Sequence, residues 1–298
     1  MNKPKKRLKT EKIAPYLFVA PFLISFLVFS AYPFFSAIKM SFHEVHSFNN
    51  MEFVGLANYQ QAFKDDLFFK SLWNVLRYTF WTLIILIPIP MAVAFIMNRK
   101  GTPLKNFFRS VFFLPVLTSS VVAGVVFKYA FSNEATGIFN KIVTFFGAEP
   151  IRWLEKSGPA MFALVIIAVW RWMGTNMIYF LSGLQGISPE LYESADVDGA
   201  NPWQKFTKIT VPLLKPITIY VLTISIMGGF SLFNESYVYW DKQSPNGIGS
   251  TLVIMIYKAA FVDGNFGYSC AIGVLMFLIV VIVNFTQTHF MGLFKEDR

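Results

Sequence analysis

Long apolar runs alternate with short polar segments along the whole chain. A transmembrane helix needs about 20 mostly apolar residues. Six stretches meet this requirement, and they are residues 13–38, 72–97, 107–131, 160–184, 213–236 and 268–291. The pattern predicts an all-α membrane protein with six transmembrane helices. The apolar part of the first stretch is too long for a signal peptide, which favours a retained helix.

Four prolines lie inside or near these apolar runs. Proline removes a backbone hydrogen bond and its ring crowds the preceding turn, so we expect each to kink its helix. The four are Pro33, Pro88, Pro90 and Pro115. Kinked backbone is tolerated at membrane depth only against protein or a water-filled cavity.

Composition supports a lipid environment. Charged residues make up 14% of the chain and hydrophobic residues 55%, with a mean hydropathy of +0.50, whereas soluble domains carry about 25% charged residues. The net charge is +9, but six of the 26 basic residues lie within the first 12 positions. Such clustering is a topology signal rather than a basic nucleic-acid-binding face. It places the basic N-terminus 1–12, and with six spans both termini, in the cytoplasm.

This topology divides the loops between the two sides of the membrane. The cytoplasmic segments are 1–12, 98–106, 185–212 and 292–298. The outer loops are 39–71, 132–159 and 237–267. Residues 13–298 form the transmembrane domain, and 185–212 is its longest cytoplasmic loop.

Catalytic and metal-binding patterns are missing from the sequence. The chain has one cysteine, Cys270, which excludes an internal disulfide. Its three histidines are His43, His46 and His289, and His43-Glu44-Val45-His46, in an outer loop, has the wrong spacing for a zinc-binding HExxH motif. No GxxxxGK[ST] phosphate-binding loop occurs. We therefore predict that the chain is not an enzyme, holds no metal and has no catalytic residue.

The cytoplasmic loop 185–212, here called the coupling loop, carries strong helix-boundary signals. Ser188 followed by proline and glutamate starts a helix, and Gly199 ends it. Asn201 followed by proline starts a second helix. The prediction is a rigid helix–turn–helix on the membrane surface. Composition leaves two roles open: docking into a partner's groove, or a cap that only seals the bundle.

A polar and aromatic cluster closes the fifth apolar run. Ser231, Asn234 and Glu235 are predicted to stack along one helix face. Three aromatic residues flank them, and they are Phe230, Phe233 and Tyr237. Polar groups on an apolar helix mark a substrate path, and rings beside amides and carboxylates suit sugars. The alternative is that these groups only bond a neighbouring helix.

Arg171 lies near the middle of the fourth run, between Trp170 and Trp172. A cation at this depth must face the bundle or water. Either it forms a structural ion pair, or it contacts an anionic substrate. An ion- or proton-coupled secondary transporter also explains six spans with a polar patch, although no internal repeat is visible.

The spacing within the coupling loop resembles a known signature. Glu193-Ser194-Ala195 is followed after three residues by Gly199, and after nine more by Ile209-Thr210-Val211-Pro212. This resembles the loop of bacterial ABC importer permeases, which reads Glu-Ala-Ala, three residues, Gly, nine residues, Ile, any residue, Leu, Pro. The chain departs from it at Ser194 and Val211. FVGLANY at 53–59 and FRSVFFLP at 108–115 are similar to permeases of the maltose and glycerol-phosphate type.

The resemblance implies a type I ABC importer permease in a bacterial cell membrane. It assigns contact with the ATPase to Glu193, Ala195, Asp198 and Gly199, and it places sugar contacts on the polar cluster of the fifth run. The chain itself would hold no cofactor, since ATP and Mg are bound by two cytoplasmic ATPase subunits. The other expected partners are a second, homologous permease forming a heterodimer, an extracytoplasmic sugar-binding protein and the lipid bilayer. Transport of a sugar would proceed by alternating access, driven by the ATPases.

Overall fold

The computed structural model describes residues 10–47, 50–99, 101, 103–240 and 244–292. Most of the predicted N-terminal segment 1–12 and nearly all of the tail 292–298 lie outside these ranges. The chain divides into two compact units. The first comprises Met1–Lys64 and Lys258–Val274, and the second comprises Asp65–Tyr257 and Leu275–Arg298.

The first unit begins with an apolar helix that is interrupted by one wider, π-helical turn. Its elements are α1 (Thr10–Phe26), the π-helical turn Leu27–Ala31, α2 (Tyr32–Ser41), strands β1 (His43–Ser47) and β2 (Asn50–Phe53), and α3 (Ala57–Lys64). Helices α15 (Leu252–Phe261) and α16 (Phe266–Phe290) contribute residues to both units. None of the apolar window of Ala14–Ser41 is buried, so lipid or another subunit must cover it.

An antiparallel hairpin of β1 and β2 occupies part of the predicted outer loop 39–71. Its register pairs His43 with Phe53, whose rings meet edge to face at 5.4 Å. Asn58 fastens it, since its Nδ2 donates to the carbonyls of Ser41 and His43 at 3.0 Å each. The hairpin was not predicted within this outer loop, because strands of five and four residues have little hydrophobic alternation of their own.

The second unit contains the remaining helices. They are α4 (Asp66–Leu86), α5 (Pro88–Asn98), α6 (Lys105–Leu117), α7 (Ser120–Ala130), α8 (Ile138–Phe145), α9 (Ser157–Gln185), α10 (Pro189–Val197), α11 (Pro202–Lys205), α12 (Val211–Leu213), α13 (Lys215–Phe230) and α14 (Asn234–Tyr239). A π-helical turn, Phe206–Thr210, joins α11 to α12, and a short 3₁₀ turn, Pro245–Gly247, precedes α15.

Helix α9 lies at the centre of this unit and packs against α4, α5, α6 and α13. Two apolar clusters use opposite ends of it, one around Leu164 and Ile167 and the other around Met177 and Phe180. A Cβ atom at Gly174 would overlap the carbonyl group of Phe112. Glycine therefore allows the backbones of α6 and α9 to approach closely, as small residues do between membrane helices.

Three of the four prolines lie beside irregular turns within helical spans that are otherwise continuous. Pro33 follows the π-helical turn, and Ile87 separates α4 from α5, which begins at Pro88. Pro90 has no N–H for the carbonyl of Leu86, and the side chain of Asn176 donates to that carbonyl instead at 2.9 Å. Another helix thus satisfies the group that proline frees, as a membrane interior requires.

The third predicted span, residues 107–131, is not one continuous helix. Pro115 lies near the end of α6, and α6 and α7 meet at Thr118–Ser119 with a bend of 97°. A kink was expected at Pro115, but neither the proline nor the apolar run indicates a bend of this size. Five helical segments in the described part of the chain are long and apolar enough to cross a membrane, and this bent pair makes a sixth when counted as one span.

Candidate functional site

The first half of the coupling loop forms the predicted short helix. Helix α10 begins after Ser188 with Pro189 in its first turn, although the Ser188 side chain accepts no capping hydrogen bond. Gly199 follows α10 with φ of +75°. This left-handed conformation is strained for residues with a Cβ atom, so glycine is the natural residue at this turn.

The second half begins at a complete capping box. Asn201 Oδ1 accepts from the backbone N–H of Gln204 at 2.9 Å, and the Gln204 side chain accepts from the N–H of Asn201 at 2.8 Å. Two side-chain contacts then tie the halves together. The Lys205 ammonium pairs with the Asp196 carboxylate, and the hydroxyls of Tyr192 and Thr210 lie 2.8 Å apart. The loop is therefore a braced unit and not a flexible linker.

Apolar contacts attach the coupling loop to the helix bundle. The rings of Phe206 and Phe95 lie 5.2 Å apart, and both pack on the cluster around Phe180. The opposite surface is open: Val197 is 89% exposed and Trp203 is 70% exposed. Fixed attachment on one side and an exposed apolar surface on the other are the geometry that a docking element needs.

The four predicted coupling residues fall on this open surface or at the turn. Glu193, Asp198 and Gly199 are exposed, and Ala195 is partly exposed. Gly199 also has empty space where a Cβ atom would lie. The predicted helix–turn–helix is confirmed as a geometry. Contact with an ATPase remains a prediction.

Residues 228–240, here called the path segment, differ from the prediction. Helix α13 ends at Phe230 and α14 begins at Asn234, with non-helical backbone between them. Ser231 therefore does not continue one helical face with Asn234 and Glu235, and the expected single polar stripe is wrong. Ser231 bonds the carbonyl of Met227 in its own helix at 2.8 Å.

Polar groups from three helices meet at the beginning of α14. The Asn234 side chain donates to the hydroxyl of Ser120 in α7 at 2.9 Å. Arg171 Nη1 in α9 lies 2.5 Å from Glu235 Oε1. Ser120 was not among the predicted residues, since nothing in its local sequence distinguishes it. Arg171 was singled out, and its ion pair is the first of the two alternatives left open for it.

The aromatic residues of the path segment separate into two environments. Phe233, Tyr237 and Tyr257 form a cluster with ring centroids 5.0 to 5.4 Å apart. Phe230 is only 1% exposed and packs in a hydrophobic cluster with Val75. Phe230 is thus a core residue, whereas Tyr257 is a member of the cluster that the sequence analysis missed.

A cavity of about 300 Å³ lies between α4, α9 and α13. Its lining combines aromatic and hydroxyl or amide side chains, and includes Tyr78, Thr82, Trp172, Thr175, Asn176 and Ser225. The Thr175 hydroxyl is buried without a partner in the described structure. None of the six predicted path residues lines this cavity. The path residues were predicted from their spacing along one helix, whereas several residues from each of three helices line the cavity.

Among the described residues, no three His, Cys, Asp or Glu side chains lie close enough together to hold a metal ion. The polar groups of the path segment and of the cavity are hydroxyls, amides, indole N–H groups and one carboxylate, which pairs with the guanidinium of Arg171. This set suits hydrogen bonding to an organic ligand with many hydroxyl groups.

A family model described as "Binding-protein-dependent transport system inner membrane component" matches residues 84–292. The chain belongs to this family. The matched region includes the coupling loop and the path segment. Membership confirms the ABC permease interpretation and disfavours the alternative of an ion- or proton-coupled secondary transporter. The predicted helical permease fold is likewise confirmed, with the hairpin of β1 and β2 as an addition.

Several relatives are similar along nearly their full length. An arabinooligosaccharide transport system permease protein, AraP of Bacillus subtilis, is 46% identical over 97% of this permease and 91% of the relative. The AraP protein of Halalkalibacterium halodurans is 43% identical over 96% and 90%. The lactose transport system permease protein LacF of Rhizobium radiobacter is 30% identical over 92% of each chain.

Solved structures show the same fold. A chain from a bacterial ABC transporter involved in the import of the acidic polysaccharide alginate superposes with a TM-score of 0.83 and 20% identity, covering 96% of this permease and 98% of that chain. A second structure, of a bacterial alginate transporter in complex with an alginate pentasaccharide-bound periplasmic protein, gives a TM-score of 0.80 and 21% identity.

Proposed function

We propose that this permease forms one half of the membrane path of an ATP-driven importer for arabinose-containing oligosaccharides. The observation that carries the proposal is the braced coupling loop, which presents an exposed apolar and acidic surface while Phe206 holds it to the bundle. A separate ATPase that binds this loop would move the helices attached to it, because side-chain contacts brace the loop internally and Phe206 packs on the bundle.

The substrate class follows from two lines of support. The two relatives above 40% identity carry the name of arabinooligosaccharide transport, and both align over more than nine-tenths of this permease. The cavity beside α9 offers aromatic faces from Tyr78 and Trp172 next to the hydroxyl and amide groups of Thr175 and Asn176. Sugars present apolar C–H faces and hydroxyl edges, and such a lining matches both.

The assembly requires several partners. Two ATPase subunits would bind ATP and Mg and dock at Glu193, Ala195, Asp198 and Gly199, so ATP hydrolysis lies outside this chain. A second, homologous permease would complete the path, and an extracytoplasmic binding protein would deliver the sugar. Both termini would lie in the cytoplasm. The exposed Asn234 and the partly exposed Phe233 and Tyr237 would then line the path at its centre.

The test is uptake by proteoliposomes that contain the complete importer and trap ATP inside. We expect entry of labelled arabinose trisaccharide that depends on ATP and on added binding protein and persists when an uncoupler collapses ion gradients. Liposomes loaded with a non-hydrolysable ATP analogue provide the control. Uptake that follows an ion gradient and ignores ATP would disprove the coupling mechanism, and ATP-dependent uptake of a different sugar class would disprove the substrate assignment.

A further inference from the structure

The ion pair of Arg171 and Glu235 joins the central helix α9 to the short helix α14. The Nη1–Oε1 distance is 2.5 Å, and 15% of each side chain is exposed. The pair is therefore partly shielded, where charges interact more strongly than at a surface. Removing one partner from a shielded pair leaves the other charge uncompensated, which is far less favourable than the intact pair.

Arg171 retains hydrogen-bonding capacity beyond this pair. Its Nε is buried and has no partner in the described structure. Its guanidinium also lies 5.4 Å from the ring centre of Trp172, which holds the side chain by a cation–π contact. A guanidinium offers five N–H donors in a planar fork that matches a carboxylate. One carboxylate oxygen of Glu235 occupies only part of that fork.

The pair lies close to the cavity, because Tyr78, which lines the cavity, interacts electrostatically with both Glu235 and Arg171. Asn234, next to Glu235 in the chain, is exposed, and Trp172, next to Arg171, lines the 300 Å³ cavity. Charged side chains at membrane depth are costly and are retained where they serve a path or a pair. Arg171 and Glu235 form such a pair, and it lies next to the cavity.

We propose that Glu235 neutralises Arg171 so that the path admits uncharged oligosaccharides, and that Arg171 alone would select sugars bearing a carboxylate. The inference rests on the proposed function and goes further, since it names the residues that set the charge of the accepted substrate. In the intact pair, the Glu235 carboxylate occupies the guanidinium and repels a second carboxylate. Without that charge, a uronic acid group takes its place on Arg171 through a charge-assisted hydrogen bond.

The experiment measures sugar binding to the assembled transporter in lipid nanodiscs without the binding protein, because the binding protein would otherwise select the sugar first. Saturation-transfer NMR detects weak binding of three probes: neutral arabinose trisaccharide, galacturonate trisaccharide and the cationic glucosamine trisaccharide. The variants are Glu235→Gln, Arg171→Gln and the double variant. Glu155→Gln is the matched control, because Glu155 pairs with Arg152 in an exposed position far from α14 in sequence.

We expect Glu235→Gln to raise the affinity for galacturonate trisaccharide relative to the neutral sugar by between about tenfold and about hundredfold, as for one charge-assisted hydrogen bond. Arg171→Gln leaves the carboxylate unpaired and should raise the relative affinity for the glucosamine trisaccharide by a similar factor. The double variant and the Glu155→Gln control should gain neither preference. Both gains should fall with increasing salt.

Unchanged relative affinities in both single variants would overturn the proposal. So would failure of both single variants to assemble, because the pair would then only hold the fold together. If one single variant fails to assemble, the relative affinity of the other variant for its own charged trisaccharide decides whether the proposal holds. A wild-type complex that binds no neutral trisaccharide at all contradicts the proposed function itself. A wild type that binds this sugar, with variants whose relative affinities stay unchanged, contradicts only the role of the ion pair.

Discussion

The coupling loop and the path segment are built in opposite ways. The coupling loop is shaped by residues near one another in sequence: the capping box spans Asn201 to Gln204, Gly199 makes the turn, and the contact of Tyr192 with Thr210 spans only 18 positions. The path segment is shaped by distant residues, because Glu235 is 64 positions from Arg171 and Asn234 is 114 from Ser120. The first is therefore a rigid element that keeps its shape while its surroundings move, and the second changes whenever the helices around it move.

This difference suits their proposed roles. A docking element must transmit force without bending, which local caps and a braced turn achieve. A substrate path must open and close, and side chains contributed by α7, α9 and α14 separate when those helices separate. Substitutions in the two regions should accordingly differ in what they damage.

The largest effect is expected at Gly249, which packs against Trp240 of the path segment. A Cβ atom at Gly249 would overlap the ring of Trp240, whose indole N–H donates to the carbonyl of Leu154 at 2.8 Å. Gly249→Val should destabilise the permease by about 3 kcal/mol, as overpacking of a filled core does. The measurement is the thermal unfolding midpoint of the detergent-purified protein.

Gly228→Ala is the control for this substitution, because Gly228 has open space around its Cβ position. Gly228 lies in α13, in the path segment that also contains Trp240, so the two variants separate crowding against this segment from the mere loss of a glycine. An unfolding midpoint for Gly249→Val equal to that of the control would show that the path segment does not depend on distant packing.

An intermediate effect is expected at Gly199, and on coupling rather than on assembly. Valine at φ of +75° is strained by about 2 kcal/mol, but it meets no neighbouring atom. Gly199→Val should therefore insert and assemble normally, yet lose the substrate-dependent gain in ATPase activity of the reconstituted importer. Gly199→Asn, which tolerates the left-handed conformation better, should retain most of that gain. Full coupling in Gly199→Val would refute the lever-like role of the loop.

The smallest effect tests whether the coupling loop relies on its caps. Asn201→Ala removes the capping box and should cost about 1 kcal/mol locally. Amide hydrogen exchange in α11 should become roughly fivefold faster. Ser188→Ala is the matched case, because Ser188 occupies the corresponding position before α10 without a side-chain hydrogen bond. Equal exchange rates in the two variants would mean that tertiary contacts and not caps hold the loop.

Several features were predictable because their signals are local. Helices about 20 residues long and apolar are forced by the absence of water in the bilayer, and five of the six predicted runs contain such a helix. The irregular turn at Ile87 was indicated by Pro88 and Pro90, because proline removes the hydrogen bond to the carbonyl four residues before it. The end of the helix at Gly199 was predictable because glycine favours the left-handed conformation at a helix C-terminus. Gly199 has this backbone conformation.

Other features had no local signal. Pro115 indicated a kink, but the size of the 97° bend between α6 and α7 depends on how both halves pack. The break between Phe230 and Asn234 occurs in a stretch whose composition predicts a continuous helix. The burial of Phe230 beside Val75 was equally hidden, because an aromatic residue on an apolar helix looks the same whether it faces a path or a core.

The sequence by itself determined the membrane class, the number of apolar runs, the coupling loop and the family, since hydropathy and motif spacing act over short distances. The tertiary structure decided which polar residues meet. It paired Arg171 with Glu235, placed Ser120 against Asn234 and gathered a cavity from three helices. The physical reason is that the energy of a charge or hydrogen-bonding group in an apolar interior depends on its partner, and partners far apart in sequence are chosen only by the folded packing of helices.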